Sequence, residues 1–128
     1  RGAYNNVMEN LDLNVVFKEY QRMVCEYYEA LGHKTPLNDG APVAGYVHSL
    51  GHGLGLNVHE RPWSSLTATD DNILKPGVVV TVEPGLYYPD QGMGARIEDS
   101  VWIRPDGKAE VLADYPYDFV LEMKKWKM

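Results

Sequence analysis

Apolar spacing changes period once along this chain, and that change limits it to a helical part followed by a β part. Leu13, Val16, Phe17, Tyr20, Val24, Tyr27, Tyr28 and Leu31 recur at helical intervals, which describes one buried stripe on an amphipathic helix. The spacing predicts a long helix over roughly Asp12 to Leu31, with Asp12 as N-cap and Gly32 as its stop. The end of a preceding helix is expected within residues 1–11. Residues 35–44 (TPLNDGAPVA) combine Pro, Gly, Asn and Asp and read as a loop. Beyond them the pattern turns to β. Short strands are expected at Gly45 to Ser49 and Leu54 to His59, the latter alternating Leu54, Leu56, Val58 against Gly55, Asn57, His59. A loop over 61–76 ends in the turn signal Lys75-Pro76-Gly77. Val78 to Glu83 and Gly94 to Ile103 read as further strands, and Asp106-Gly107 turns the second back into a strand over Lys108 to Leu112. Residues 113–128 receive no assignment. A helical segment followed by turn-linked strands is an α+β pattern.

The 128 residues suffice for one domain with a single core, and 45% hydrophobic with 23% charged residues is globular rather than disordered. A net charge of -6 argues against a nucleic-acid surface, which needs a basic patch. No apolar run of about 18 residues is present, so no membrane span is expected. The single cysteine, Cys25, rules out an internal disulfide and points to a reducing, cytoplasmic setting. The chain opens on Arg1 without an initiator Met or a visible signal peptide, and reads as a piece of something longer.

Three segments concentrate groups that bind metals or move protons. In the first, His48, His52 and His59 lie within twelve residues, and Gly51, Gly53 and Gly55 bracket His52. Any one of these histidines is more easily read as a backbone-bonded turn residue. Three together, with alternating glycines that let a backbone or ligand approach closely, point to a site. In the second, strand alternation places Val79, Thr81 and Glu83 on one face and Val78, Val80 and Val82 on the other. Glu83 thus ends an apolar strand, where a carboxylate needs a partner, a metal or a route to water. The third is Arg96-Ile97-Glu98-Asp99, with Arg96, Glu98, Ser100 and Trp102 on one strand face. On local evidence alone Arg96 and Glu98 form a surface pair. One imidazole and two carboxylates from separate strands suit Mn²⁺, Co²⁺, Zn²⁺ or Fe²⁺. Such an ion generates hydroxide near neutral pH and polarises a carbonyl; the other histidines can stabilise a tetrahedral intermediate or donate a proton.

The stretches His48-Ser49-Leu50-Gly51-His52-Gly53-Leu54-Gly55, His59-Glu60-Arg61-Pro62, Leu74-Lys75-Pro76-Gly77, Thr81-Val82-Glu83-Pro84-Gly85-Leu86-Tyr87 and Arg96-Ile97-Glu98-Asp99 resemble, in order and spacing, the M24 "pita-bread" metallopeptidases. That family includes aminopeptidase P, prolidase, creatinase and methionine aminopeptidase. The Arg-Ile-Glu-Asp form and His48 resemble its Xaa-Pro aminopeptidase and prolidase branch. The resemblance implies half of a pita-bread fold, a curved antiparallel sheet flanked by a long helix. It implies His52, Glu83 and Glu98 as metal ligands, with Glu98 bridging two ions and Glu83 accepting a proton from the attacking water. His59 would stabilise the tetrahedral intermediate, and His48 and Arg96 would shape the substrate site.

One departure limits this. The family completes its dinuclear centre with two upstream aspartates. Before His48 the chain has only Asp12 and Asp39, at a helix start and in a loop, and neither resembles a family ligand. Asp70 and Asp71 read as solvated. Residues 1–128 are therefore expected to be the C-terminal part of a catalytic domain, holding at most one of two divalent ions, with Mn²⁺ first in order, and inactive alone. The complete protein is expected to hydrolyse X–Pro bonds at the N-terminus of short peptides and to form a homo-oligomer. A catalytically silent peptide-binding relative and a creatinase-like amidinohydrolase are the alternatives.

Overall fold

The computed structural model describes residues 1–113, 115–118 and 120–122. Among these residues two α-helices, α1 (Gly2–Asn10) and α2 (Lys18–Ala30), precede seven strands. These are β1 (His52–Gly53), β2 (Glu60–Trp63), β3 (Val79–Val82), β4 (Gly85–Tyr88), β5 (Met93–Arg96), β6 (Asp99–Ile103) and β7 (Ala109–Val111). Five of them form an antiparallel sheet in the order β2-β1-β3-β6-β7, and β4 pairs with β5 as a two-stranded ribbon.

The single long helix expected over Asp12 to Leu31 does not form; the first turn and a half of that stretch belongs to the sheet side of the molecule. Asn14 takes a left-handed φ of 62°. Its amide bonds the Leu74 carbonyl at 2.8 Å, and the Phe17 amide bonds the Asn72 carbonyl at 2.8 Å. A bridge joins Val16 to Ile73. Backbone pairing at long range wins here over a periodicity that continues to match, so Phe17, not Asp12, caps α2. The Asp12 carboxylate accepts from the neighbouring Leu13 amide. The stop is as read: Gly32 has φ 85°, and the His33 amide reaches back to the Tyr28 carbonyl at 3.0 Å, a left-handed cap of the kind glycine favours.

The buried apolar face of α2 is Tyr20, Val24, Cys25 and Tyr28, continued by Phe17 just before it. It packs with Ala3, Tyr4 and Val7 of α1, with Val80 and Val82 of β3, and with Val101 and Ile103 of β6. Buried Gln21 ties α2 to the chain above it. Its amide oxygen accepts from the Tyr46 hydroxyl at 2.8 Å and from the Leu50 amide, and its amide nitrogen donates to the His48 carbonyl at 3.2 Å. Held this way, residues 45–49 are an irregular segment rather than the expected strand, with one bridge from Gly45 to Tyr87.

Three further readings are corrected. The expected loop over 61–76 begins in a strand, since Arg61 to Trp63 belong to β2 and pair with β1. Residues 54–59 form a bent loop, not a strand, and Leu56 and Val58 stand in solvent; the strand is the His52–Gly53 pair just before. The expected Gly94 to Ile103 strand is two strands, β5 and β6, in different sheets. Its partner is split in the same way, because β3 and β4 part at Glu83-Pro84. The registers nevertheless agree. Val82 faces Asp99, Gly85 faces Arg96, and the Ile97 amide bonds the Pro84 carbonyl at 3.4 Å between them. The four strands are one long hairpin bent in the middle, and the same register sets Glu83 opposite Glu98 at the bend. The turn at Lys75-Pro76-Gly77 and the β6–β7 hairpin through Asp106-Gly107 match the reading, with Gly77 and Gly107 both at φ 89°.

Candidate metal centre

Three backbone segments meet at the bend: residues 48–53, the β3–β4 junction and the β5–β6 junction. β1 lies between β2 and β3, and it is narrow because Gly51 and Gly53 have no side chains. A Cβ on Gly51 would stand 1.9 Å from the Thr81 carbonyl, and one on Gly53 would stand 2.0 Å from the Arg61 carbonyl. Neither has a positive φ. Close backbone approach, not a special dihedral, accounts for both, and it carries His52 to the side of Glu83.

His52 is nearly buried, and its Nδ1 lies 3.0 Å from the Gly53 carbonyl. A carbonyl only accepts, so Nδ1 carries a proton, and in the neutral ring Nε2 then presents its lone pair. That lone pair faces Glu83 Oε1 at 3.4 Å. Two acceptors aimed at each other across that gap suit a cation between them, and atoms bonded to one ion at about 2.0–2.2 Å can have such a separation. Thr81 holds the pair in place: its hydroxyl accepts from the His52 amide at 3.0 Å and donates to Glu83 Oε1 at 3.2 Å. Glu83 Oε2 accepts from Arg96 Nη1 at 2.7 Å, and the same nitrogen lies 3.5 Å from Glu98 Oε2.

The donor chemistry at His52 and Glu83 therefore fits a divalent ion, with Glu98 approaching through Arg96 rather than directly. Among the described residues, no group of three or more His, Cys, Asp or Glu side chains is spaced to hold a metal by itself. His59, exposed on its loop, lies with its ring centroid 4.3 Å from that of His52. His48 stands further along. Its Nδ1 lies 2.7 Å from the Ser49 carbonyl, which leaves Nε2 to accept from the Tyr87 hydroxyl at 3.1 Å, and it packs against Tyr46. It borders an open cleft of about 320 Å³ that Leu66, Val47 and Pro42 also line. The four aspartates set aside from the sequence have local partners: Asp12 as above, Asp39 with Lys34 at 2.7 Å, Asp70 with Lys18 and Asp71 with Arg61 at 2.5 Å.

Sequence reasoning gave no role to Thr81 as the joint of the His52–Glu83 pair, to Tyr87 as the partner of His48, or to the buried Asp99. Thr81 and Tyr87 share strand parity with Glu83, which is the signal that could have found them. Asp99, one residue after Glu98, accepts from the Tyr4 hydroxyl at 2.5 Å and the Tyr117 hydroxyl at 2.6 Å, and nothing local in sequence announces tyrosines so distant.

Against known proteins, the model of metallopeptidase family M24 matches residues 1–105. The Xaa-Pro dipeptidase of Pyrococcus furiosus is 50% identical over 62 residues, which are 48% of this chain and 17% of that protein. The crystal structure of the prolidase from Pyrococcus horikoshii OT3 superposes with a TM-score of 0.78 at 28% identity, covering 93% of this chain and 30% of that one. That of the X-Pro aminopeptidase from Thermotoga maritima MSB8 gives 0.74 at 32% identity, covering 91% and 30%. The chain spans less than a third of the length of any of these relatives.

Proposed function

Because this chain belongs to metallopeptidase family M24, we propose that residues 1–128 are the C-terminal part of a catalytic domain whose complete form hydrolyses the X–Pro bond at the N-terminus of short peptides. The observation that carries the reading is the lone-pair encounter of His52 Nε2 with Glu83 at 3.4 Å, beside His59 and across the hairpin from Glu98. His52, Glu83 and Glu98 would hold one divalent ion, Mn²⁺ by preference; a second would need further carboxylates, and the described residues bring no such group together. The ion, when bound, supplies an activated water and polarises the scissile carbonyl.

The protein's own groups do the rest. Glu83, with one oxygen fixed by Thr81, accepts the proton of the attacking water. His59 reaches the same place from a solvent-exposed loop and donates to the carbonyl oxygen as it turns tetrahedral. His48, oriented by Ser49 and Tyr87, and Arg96 bound the space for the substrate. With one ion's worth of ligands the chain alone is inactive. The complete protein is a cytoplasmic homo-oligomer in this reading. Among the described residues, no helix is long and apolar enough to cross a membrane.

Assay of the complete protein with X–Pro dipeptides, longer X–Pro peptides and creatine tests the substrate class. Turnover of creatine alone, or of nothing with any divalent metal, defeats it. In that protein Glu98→Ala should abolish activity and metal retention together, whereas His59→Ala should lower kcat by about 10²-fold or more with metal content kept. Equal metal loss in both variants means that one role is misassigned.

A further inference from the structure

Two carboxylates stand face to face at the bend. Glu83 and Glu98 occupy the register position next to the Val82–Asp99 pair, and like charges directly opposite on an antiparallel pair repel. Glu83 is the more confined, its side chain only 10% exposed, so water screens it poorly. Arg96 relieves the repulsion, with one guanidinium nitrogen 2.7 Å from Glu83 Oε2 and 3.5 Å from Glu98 Oε2. It can fold back this way because its register partner is Gly85, which puts no side chain in its path.

We propose that Arg96 is an internal cation holding Glu83 and Glu98 where a divalent ion would otherwise hold them, so that it must swing out before both carboxylates close on metal. The inference rests on the assignment of His52, Glu83 and Glu98 as ligands. A guanidinium stays charged at any accessible pH, so Arg96 cannot leave by losing a proton; it has to move. Its position permits that. Its side chain is 44% exposed and every residue of β5 is exposed, so the swing gives up the guanidinium's place 6.0 Å over the Tyr87 ring but unpacks nothing from the core. The consequence separates this role from a positioning one. Removing a residue that merely orients ligands weakens metal binding, whereas removing a competitor strengthens it.

Calorimetric titration of the 128-residue chain with Mn²⁺ is the test, with folding of each variant followed by circular dichroism. Arg96→Leu supplies no donor of its own and should bind about tenfold more tightly than the unaltered chain, equivalent to about 1.4 kcal/mol. Arg96→Lys, a point charge without the fork, should fall between. The gain should vanish in Arg96→Leu/Glu83→Gln. Equal or weaker binding by folded Arg96→Leu overturns the proposal, and the ligand assignment then still stands if Glu83→Gln alone lowers affinity. A gain that survives Glu83→Gln overturns the assignment and the proposal together. A readout on the unaltered chain covers a variant that does not fold. During Zn²⁺ titration of ¹⁵N-labelled protein, the Arg96 side-chain Nε–H signal should shift in step with the His52 ring. Movement of His52 without Arg96, or of neither, overturns the displacement.

Discussion

Thr81 decides how the two acceptors of the centre are set. Its hydroxyl has one proton and two lone pairs, and it meets three groups: the His52 amide at 3.0 Å, Glu83 Oε1 at 3.2 Å and the His52 carbonyl at 3.4 Å. The shorter contact gives the proton to the carboxylate. Valine has nearly the same volume and none of these bonds, so Thr81→Val leaves the His52 amide buried and unsatisfied. The expected loss is about 1–3 kcal/mol of unfolding free energy, read by urea denaturation of the chain. Thr81→Ser keeps the oxygen and should stay within roughly 1 kcal/mol of the original. If valine costs no more than serine, the hydroxyl contributes nothing beyond the packing of the methyl, and the account of how Glu83 is oriented falls.

At the scale of elements, the hairpin of β3–β4 against β5–β6 was legible where strands lie flat and illegible where they bend. Val78 to Glu83 is β-branched and alternating, and it became β3 with Val80 and Val82 in the core. Periodicity carries no mark of the break at Glu83-Pro84, since both halves keep the same parity and the same register. The reverse error occurred at residues 54–59. Leu54, Leu56 and Val58 alternate as a strand would, yet Leu56 is fully exposed, because β1 ends where Gly53 stops pairing with Val80. The six candidate site residues were nominated from residue type, motif spacing and a family resemblance. The place of Arg96 between Glu83 and Glu98 was not legible, because it follows from the bend. β1 also shows which glycines matter. Gly51→Ala would drive a methyl group into the Thr81 carbonyl at 1.9 Å, a backbone atom that cannot rotate away, and should cost about 3 kcal/mol, the upper part of the overpacking range. Gly77→Ala, with open space around it, meets only the strain of φ 89° and should cost about 1–2 kcal/mol. Thermal unfolding of both variants checks the order; a Gly51→Ala chain that melts later than Gly77→Ala would refute the close-approach argument.

Across the whole molecule, Asp99 joins parts that share no sequence neighbourhood. It begins β6, faces Val82 of β3, and collects hydroxyls from Tyr4 of α1 and from Tyr117. Burial and the adjacent carboxylate push the Tyr4 hydroxyl far above its usual pKa, so it stays protonated and donates. The N-terminal helix, the sheet and the C-terminal segment thus close on a single carboxylate one residue from Glu98. Hydrogen bonds to a charged acceptor are worth about 1.5–3 kcal/mol each. Tyr4→Phe, which keeps the buried ring and removes one bond, should therefore lower unfolding free energy by about that amount. Tyr117→Phe, more exposed, should cost less. Asp99→Ala takes the shared acceptor from both hydroxyls, leaving them each other at 3.1 Å, and should cost about 3 kcal/mol. The bonds also predict where the loss is felt. In Tyr4→Phe, backbone amides of α1 should exchange with solvent faster, while those of β3 and β6 remain protected, because α1 is then held by the packing of Ala3, Val7, Met8 and the phenyl ring and by the Tyr20 hydroxyl on the Asn10 carbonyl. Hydrogen exchange that accelerates equally in α1 and β3 would mean that α1 never opens independently, and that Asp99 stabilises the fold as one unit rather than by clamping its ends.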